Sequence, residues 1–151
     1  MSEKEKREIE ICEKFLRSCS AYKSLKFRVS PQDPPAPDCL VEFFGDLPKR
    51  VELSEMVDKG IAEKFYGQKV EPSGGFFDDE ILSERILEKI QKKYKTDSNE
   101  TELLLYFLIQ PVWPEETMLE QVKKTVDQYG RGPFGRIWLF SEPREEVIGL
   151  I

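Results

Sequence analysis

The amino-acid sequence predicts an α/β domain in which a mixed central sheet is flanked by helices on both faces. Amphipathic helical patterns alternate with short apolar runs along the chain. One run, Glu102–Gln110, is almost continuously apolar, which is typical of a strand buried on both faces of a sheet. The 151 residues, of which 39% are hydrophobic and 34% charged, suit a single globular domain spanning 1–151.

The first third of the chain predicts one helix and a three-stranded meander. Apolar residues at three- and four-residue spacing predict the helix over 3–19. The predicted strands are Leu25–Val29, Cys39–Phe44 and Arg50–Leu53. The segment 31–37 holds too many prolines for a helix or a central strand, so it is predicted to be an extended connector.

The remaining two thirds predict helices alternating with strands. A segment with a proline and a glycine pair, Gly67–Phe77, is predicted to be a loop. Helices are predicted at Ser54–Tyr66, Asp78–Lys95 and Glu115–Tyr129, and strands at Glu102–Gln110, Arg136–Ser141 and Val147–Ile151. The last two strands are predicted to lie at edges of the sheet. A meander followed by a crossover helix and a buried strand indicates a mixed sheet.

Composition excludes several classes of function. The chain has no histidine, which excludes Ser-His-Asp and Cys-His catalysis and His-ligated zinc. Three cysteines, an odd number, argue against a disulfide framework, so we expect reduced thiols and a cytoplasmic location. No apolar run is long enough to span a membrane and the first twenty residues are charged throughout, so we expect neither a membrane partner nor a secretory signal.

The charge of the chain bears on its partners. The net charge of −6 counts against bulk, sequence-independent binding of nucleic acid, which needs a basic surface. A local basic face is still compatible with this balance, because lysines cluster at Lys89, Lys92, Lys93 and Lys95.

Two acids bracket the predicted hairpin. Asp38 opens the second strand after Pro37, and Glu52 lies in the third strand, fourteen residues later. A strand pair can bring both carboxylates to one end of a sheet, where they could share a hard cation such as Mg²⁺. Such a pair would suit metal-assisted hydrolysis of a phosphodiester. The alternative interpretation is that Asp38 is an ordinary turn residue and Glu52 an exposed strand residue.

Helical spacing places three charged residues on or beside apolar faces. In the predicted helix 78–95, Lys93 falls within the apolar sector and Lys89 lies just beside it. Either ammonium could reach the acids or a substrate phosphate, or the stem could pack while the ammonium meets water. Glu8 shares the apolar face of the first helix, so it is either a third acid near the metal or a frayed first-turn residue.

The strings PPAPDCLVEFF, KRVELSE and ILEKIQKKYKTDSNETELLLYFLI resemble the core of the PD-(D/E)xK nuclease superfamily. The resemblance covers most of residues 3–141 and implies a restriction-endonuclease-like fold with an α-β-β-β-α-β core. It implies that Asp38 and Glu52 ligate Mg²⁺ or Mn²⁺, that Glu8 is the first-helix acid, and that DNA is the partner. The family's lysine would stand at Ser54, and some members carry it on the following helix, as Lys93 or Lys89 could.

Two classes of function follow from these patterns. The first is a divalent-metal-dependent nuclease that hydrolyses DNA phosphodiester bonds, with Asp38, Glu52 and Lys93 or Lys89 as catalytic residues. The second is a catalytically inactive domain of the same fold that binds protein or nucleic acid, which Ser54 and the acidic charge favour.

Two surfaces could serve the second class of function. Trp113, Trp138 and the segment 67–77 could form a partner surface, although both tryptophans could instead pack in the core. A homodimer could form if Arg136–Phe140 is an exposed edge strand.

Overall fold

Six strands form one mixed sheet, and helices pack on both of its faces. The computed structural model describes residues 1–56, 79–92, 100–108 and 116–151. Within these ranges the elements are α1 (Glu3–Ser18), β1 (Phe27–Pro31), β2 (Cys39–Phe43), β3 (Lys49–Glu55), α2 (Asp79–Gln91), β4 (Thr101–Phe107), α3 (Glu116–Tyr129), β5 (Arg136–Ser141) and β6 (Glu146–Gly149). None of the helices in these ranges is both long and apolar enough to span a bilayer. The predicted α/β class is confirmed.

The strands lie in the sheet in the same order as in the chain, from β1 to β6. β1, β2 and β3 form an antiparallel meander, whereas β3, β4 and β5 run parallel to one another. Parallel neighbours need crossover connections, and α2 and α3 occur in these two connections. β6 returns antiparallel to β5 and ends the sheet.

The pairing of β2 with β3 leaves part of β3 with an open edge. Cys39 pairs with Val51, and the pairing runs from there toward Lys49, so it uses only the first half of β3. The segment Glu52–Glu55 pairs with β4 on one side, and no strand among the described residues pairs with its other side. Asp38, directly before β2, lies beside this open edge, which therefore positions the candidate site.

Two apolar clusters fill the spaces on the two faces of the sheet. β4 is buried along its whole length, and its side chains alternate between the clusters. Leu103 and Leu105 belong to the cluster formed with α2 and α3, and Leu104 and Tyr106 to the one formed with α1. Each buried leucine contributes about 1.5–3 kcal/mol. The predicted doubly buried strand is confirmed with the bounds Thr101–Phe107, and the three cysteines are free and buried.

A capping box begins α1, and an apolar face runs along it. The Ser2 hydroxyl accepts a hydrogen bond from the Glu5 N–H, and the Glu5 carboxylate accepts one from the Ser2 N–H, both at 3.1 Å. A cap of this kind stabilises a helix by about 1 kcal/mol. The buried face predicted from the spacing is confirmed, and its residues are Glu8, Ile11, Cys12, Phe15 and Leu16.

The end of the chain differs from the prediction. β5 is not an edge strand, because it pairs with β4 on one side and with β6 on the other. The last strand folds back along β5, so the edges of the sheet are β1 and β6. The expectation that Arg136–Phe140 is an exposed edge is therefore wrong, because the backbone groups of that strand are paired within the sheet. A homodimer stays a prediction.

The third strand is longer than predicted. Ser54 and Glu55 pair with β4 as part of β3, so a helix that begins at Ser54 is wrong at its start. Parallel pairing with β4 outweighs the local helical pattern at these two residues. The rest of that predicted helix, the predicted loop Gly67–Phe77, Lys93 and Trp113 lie outside the described residues.

Candidate active site

Asp38 and Glu52 lie together beside the open edge of β3. The Asp38 N–H donates a hydrogen bond to Oε1 of Glu52 at 3.2 Å. The Leu53 N–H donates one to Oδ2 of Asp38 at 2.9 Å, which pairs a backbone group that has no strand partner among the described residues. The hairpin thus brings together the two acids singled out in the sequence, and Glu52 is buried rather than exposed.

α2 supplies positive charge to this pair. The Lys89 Nζ donates to Oε2 of Glu52 at 2.9 Å, and the Lys92 Nζ lies 3.9 Å from the same oxygen. The Lys89 side chain is 17% exposed, whereas that of Lys92 is 57% exposed, so Lys89 is the more enclosed of the two. The sequence analysis did not single out Lys92 for the site, although its three-residue spacing from Lys89 places both on one side of α2.

The environment of Asp38 favours its protonated form. Burial, followed by the charge of the neighbouring Glu52, raises the pKa of Asp38 to about 7. The hydrogen bond from Leu53 acts in the opposite direction, and the charge of Glu8 adds a smaller increase. At neutral pH the metal-free acid pair therefore retains a proton part of the time. A bound cation would relieve the same repulsion between the carboxylates.

A cleft of about 790 Å³ opens over these groups. Side chains from α1, β3, β4 and α2 line it, with Asp38 at the entry to β2. Of the described residues that line it, seven are acidic and five are basic, so this part of the lining carries an excess of negative charge. An anionic ligand would meet net repulsion there unless a cation were bound.

Glu8 enters the cleft from α1 and is buried. No group of three or more His, Cys, Asp or Glu side chains within the described ranges is arranged to hold a metal ion. Glu8 therefore does not join Asp38 and Glu52 in a three-acid group. Mg²⁺ is commonly held by one or two carboxylates with water completing its coordination, so the donor set of Asp38 and Glu52 fits such a cation.

Two buried hydroxyl groups also line the cleft. Ser54 stands where the family resemblance places a lysine, and Tyr106 lies near the carboxyl end of β4. Burial, with the charges of Glu55 and Glu8, raises the pKa of Tyr106, so its phenol stays protonated. The sequence interpretation treated Tyr106 as part of an apolar strand. Its polar tip in an otherwise aliphatic run was the signal that could have identified it.

A second buried acid lies outside the cleft. The Glu102 carboxylate accepts hydrogen bonds from the Tyr22 hydroxyl and, at 2.5 Å, from the Trp138 Nε1–H. Both oxygens are thus paired, and the Arg136 guanidinium lies over the Trp138 ring at 5.4 Å. Trp138 packs in the core, which excludes it from an exposed partner surface. The network is structural, and its acid was missed because Glu102 was assigned to the boundary of an apolar strand.

No protein-family model, no curated protein and no solved structure matches this chain.

Proposed function

We propose that this protein is a divalent-metal-dependent nuclease that hydrolyses phosphodiester bonds in DNA. The observation that carries the proposal is the acid pair of Asp38 and Glu52 at the open edge of β3. The Asp38 N–H donates a hydrogen bond to Glu52, and the Lys89 ammonium lies 2.9 Å from the Glu52 carboxylate. The order of helix, three-strand meander, helix and parallel strand also agrees with the resemblance to the PD-(D/E)xK superfamily.

Each group has a role in this reaction. Asp38 and Glu52 would hold Mg²⁺ or Mn²⁺, which supplies Lewis-acid activation of water and neutralises charge on the phosphate. Lys89 places a compact ammonium beside the acids, where it stabilises negative charge that develops on the phosphate or orients the attacking water. Ser54 stands at the usual lysine position and carries no charge. The Lys89 ammonium on α2 would supply the positive charge instead.

The charge of the cleft supports dependence on a metal. Within the described part of its lining there are seven acidic and five basic side chains, and one divalent cation would cancel this excess of negative charge. A DNA phosphate carries a negative charge and would otherwise be repelled. We therefore expect the cation to be required for substrate binding as well as for hydrolysis.

The second candidate function is a catalytically inactive domain that binds protein or nucleic acid. The buried Ser54 at the usual lysine position favours it, as does the pairing of Glu52 with Lys89, since that ion pair could be purely structural.

Titration calorimetry with Mn²⁺ and plasmid nicking separate the two functions. The variants are Asp38→Ala and, as a matched control, Asp46→Ala in the exposed turn between β2 and β3. We expect the wild type and Asp46→Ala to bind Mn²⁺ and nick the plasmid, and Asp38→Ala to lose both properties. Binding of Mn²⁺ without nicking would favour the inactive domain, and no binding to the wild type would contradict the proposed nuclease.

A further inference from the structure

Three buried polar side chains of the cleft have no hydrogen bond or ion pair within the described part of the chain. They are Glu8, Ser54 and Tyr106, with 9%, 7% and 5% of their surface exposed. Buried polar groups in proteins are nearly always bonded to protein, ordered water or a ligand. We therefore expect ordered water or a ligand to complete their hydrogen bonds in this cleft.

Two of the three groups lie on the same side of the cleft. Tyr106 belongs to the face of the sheet that packs against α1, and Glu8 projects from α1. Glu8, Asp38 and Tyr106 all line the same cleft. Tyr106 pairs with Glu55 at the end of β3, next to the open edge.

We propose that the Tyr106 hydroxyl, together with the Glu8 carboxylate, binds the waters that hydrate a cation held by Asp38 and Glu52. This inference rests on the proposed function. Mg²⁺ gives up water reluctantly and keeps several waters when one or two carboxylates hold it. Each retained water has hydrogens that need acceptors, and a carboxylate and a phenol oxygen both accept.

The proposal accounts for an otherwise costly arrangement. A carboxylate and a hydroxyl that are buried, with no partner among the described residues, would destabilise the fold unless water or a ligand bonded to them, since each loses its bonds to bulk water. Glu8 also lines the same cleft as Asp38 and Glu52 without forming a three-acid group with them. If Glu8 contacts the cation through water, it can line the cleft beside the acid pair without being a direct ligand. Tyr106 is then a positioning residue, because it acts on the cation and on the attacking water through the hydration shell.

The variant that tests this is Tyr106→Phe, which removes one hydroxyl and changes no charge. Loss of an outer-shell contact typically lowers metal affinity by about 10–100-fold. Calorimetry should therefore give a dissociation constant for Mn²⁺ that is at least tenfold larger than that of the wild type. The melting temperature of the metal-free protein should stay equal or rise, because the lost hydroxyl has no hydrogen-bond partner among the described residues. Nicking should fall at limiting Mn²⁺ and recover at saturating Mn²⁺.

Tyr22→Phe is the matched control. Its hydroxyl is bonded to Glu102, outside the cleft, so the melting temperature should fall while the affinity for Mn²⁺ stays at the wild-type value. Wild-type Mn²⁺ affinity in Tyr106→Phe would overturn the inference and leave the proposed nuclease standing. A melting temperature that falls as far as in Tyr22→Phe would also overturn it, since the Tyr106 hydroxyl would then have a structural partner. No Mn²⁺ binding to the wild type would overturn both proposals.

Discussion

The Lys89 ammonium on α2 and the Glu52 carboxylate on β3 form an enclosed ion pair in the candidate site. The Nζ to Oε2 distance is 2.9 Å, and the two side chains are 17% and 3% exposed. The pair joins α2 to β3, two elements that belong to the same crossover connection but lie apart in the sequence. Since Glu52 is also a proposed ligand of the cation, the same carboxylate serves two positive groups, and they compete for its charge.

Removal of this ammonium should therefore change stability and metal binding in opposite directions. We expect Lys89→Met to lower the free energy of unfolding of the metal-free protein by about 3 kcal/mol, because it removes the ammonium bonded to Oε2 of a buried carboxylate. Affinity for Mn²⁺ should rise severalfold, while nicking slows by about 100-fold. Urea unfolding, calorimetry and nicking assays measure the three effects.

Lys124→Met on the exposed side of α3 is the control for Lys89→Met. It should leave stability, Mn²⁺ affinity and nicking unchanged. Weaker Mn²⁺ binding in Lys89→Met than in the wild type would contradict competition between the lysine and the cation.

The stability of the metal-free protein should fall as pH rises from 4 to 7. The pKa of Asp38 is raised from 3.8 to about 7 in the folded state, so the folded protein binds this proton more tightly than the unfolded chain does. The stability contributed by Asp38 is fully present below pH 3.8 and is lost as pH rises through 7. Asp38→Asn should remove this component of the pH dependence.

Unfolding in urea with EDTA, repeated at several pH values between 4 and 8, measures this component. Parallel stability curves for wild type and Asp38→Asn would show that Asp38 does not hold a raised pKa.

The Glu102 network should contribute stability without contributing to the cleft. Tyr22→Phe deletes a hydrogen bond to a carboxylate, and such bonds contribute about 1.5–3 kcal/mol. We expect a loss near the lower value, because Tyr22 is only half-buried. Tyr129→Phe, at a tyrosine that is 49% exposed on α3, should cost almost nothing. Equal stability of the two variants in urea would contradict a role for the Tyr22 hydroxyl.

A glycine after α3 should control the position of α2. Gly132 has φ +58°, and a Cβ there would lie 2.7 Å from the backbone oxygen of Ile90, one residue beyond Lys89. Gly132→Ala should therefore destabilise the fold and displace the end of α2, with loss of nicking. Gly130→Ala is the control, since it has φ +83° but nothing within 4 Å of the added Cβ.

The control variant should lose only about 1–2 kcal/mol from backbone strain and keep its activity. Equal losses of stability and activity in Gly130→Ala and Gly132→Ala would show that the approach to Ile90 does not matter.

Much of the fold could be predicted because its signals are local. The face of α1 follows from spacing within sixteen residues, and the burial of β4 follows from one continuous apolar run. The proximity of Asp38 and Glu52 could be predicted because one hairpin joins them, so residues that are close in space are also close in the sequence. The bounds of β3 were wrong because its partner β4 is remote in the chain.

The sequence by itself therefore determined the class of fold, the acid pair and the placement of Glu8 on a buried face. Only the tertiary structure decided that Lys89 reaches Glu52, that Tyr106 lines the cleft without a bonded partner in the described residues, and that Glu102 is paired with Tyr22 and Trp138. The physical reason is that side-chain periodicity reports which face of an element is buried. It does not report which remote element packs on that face, or at what distance.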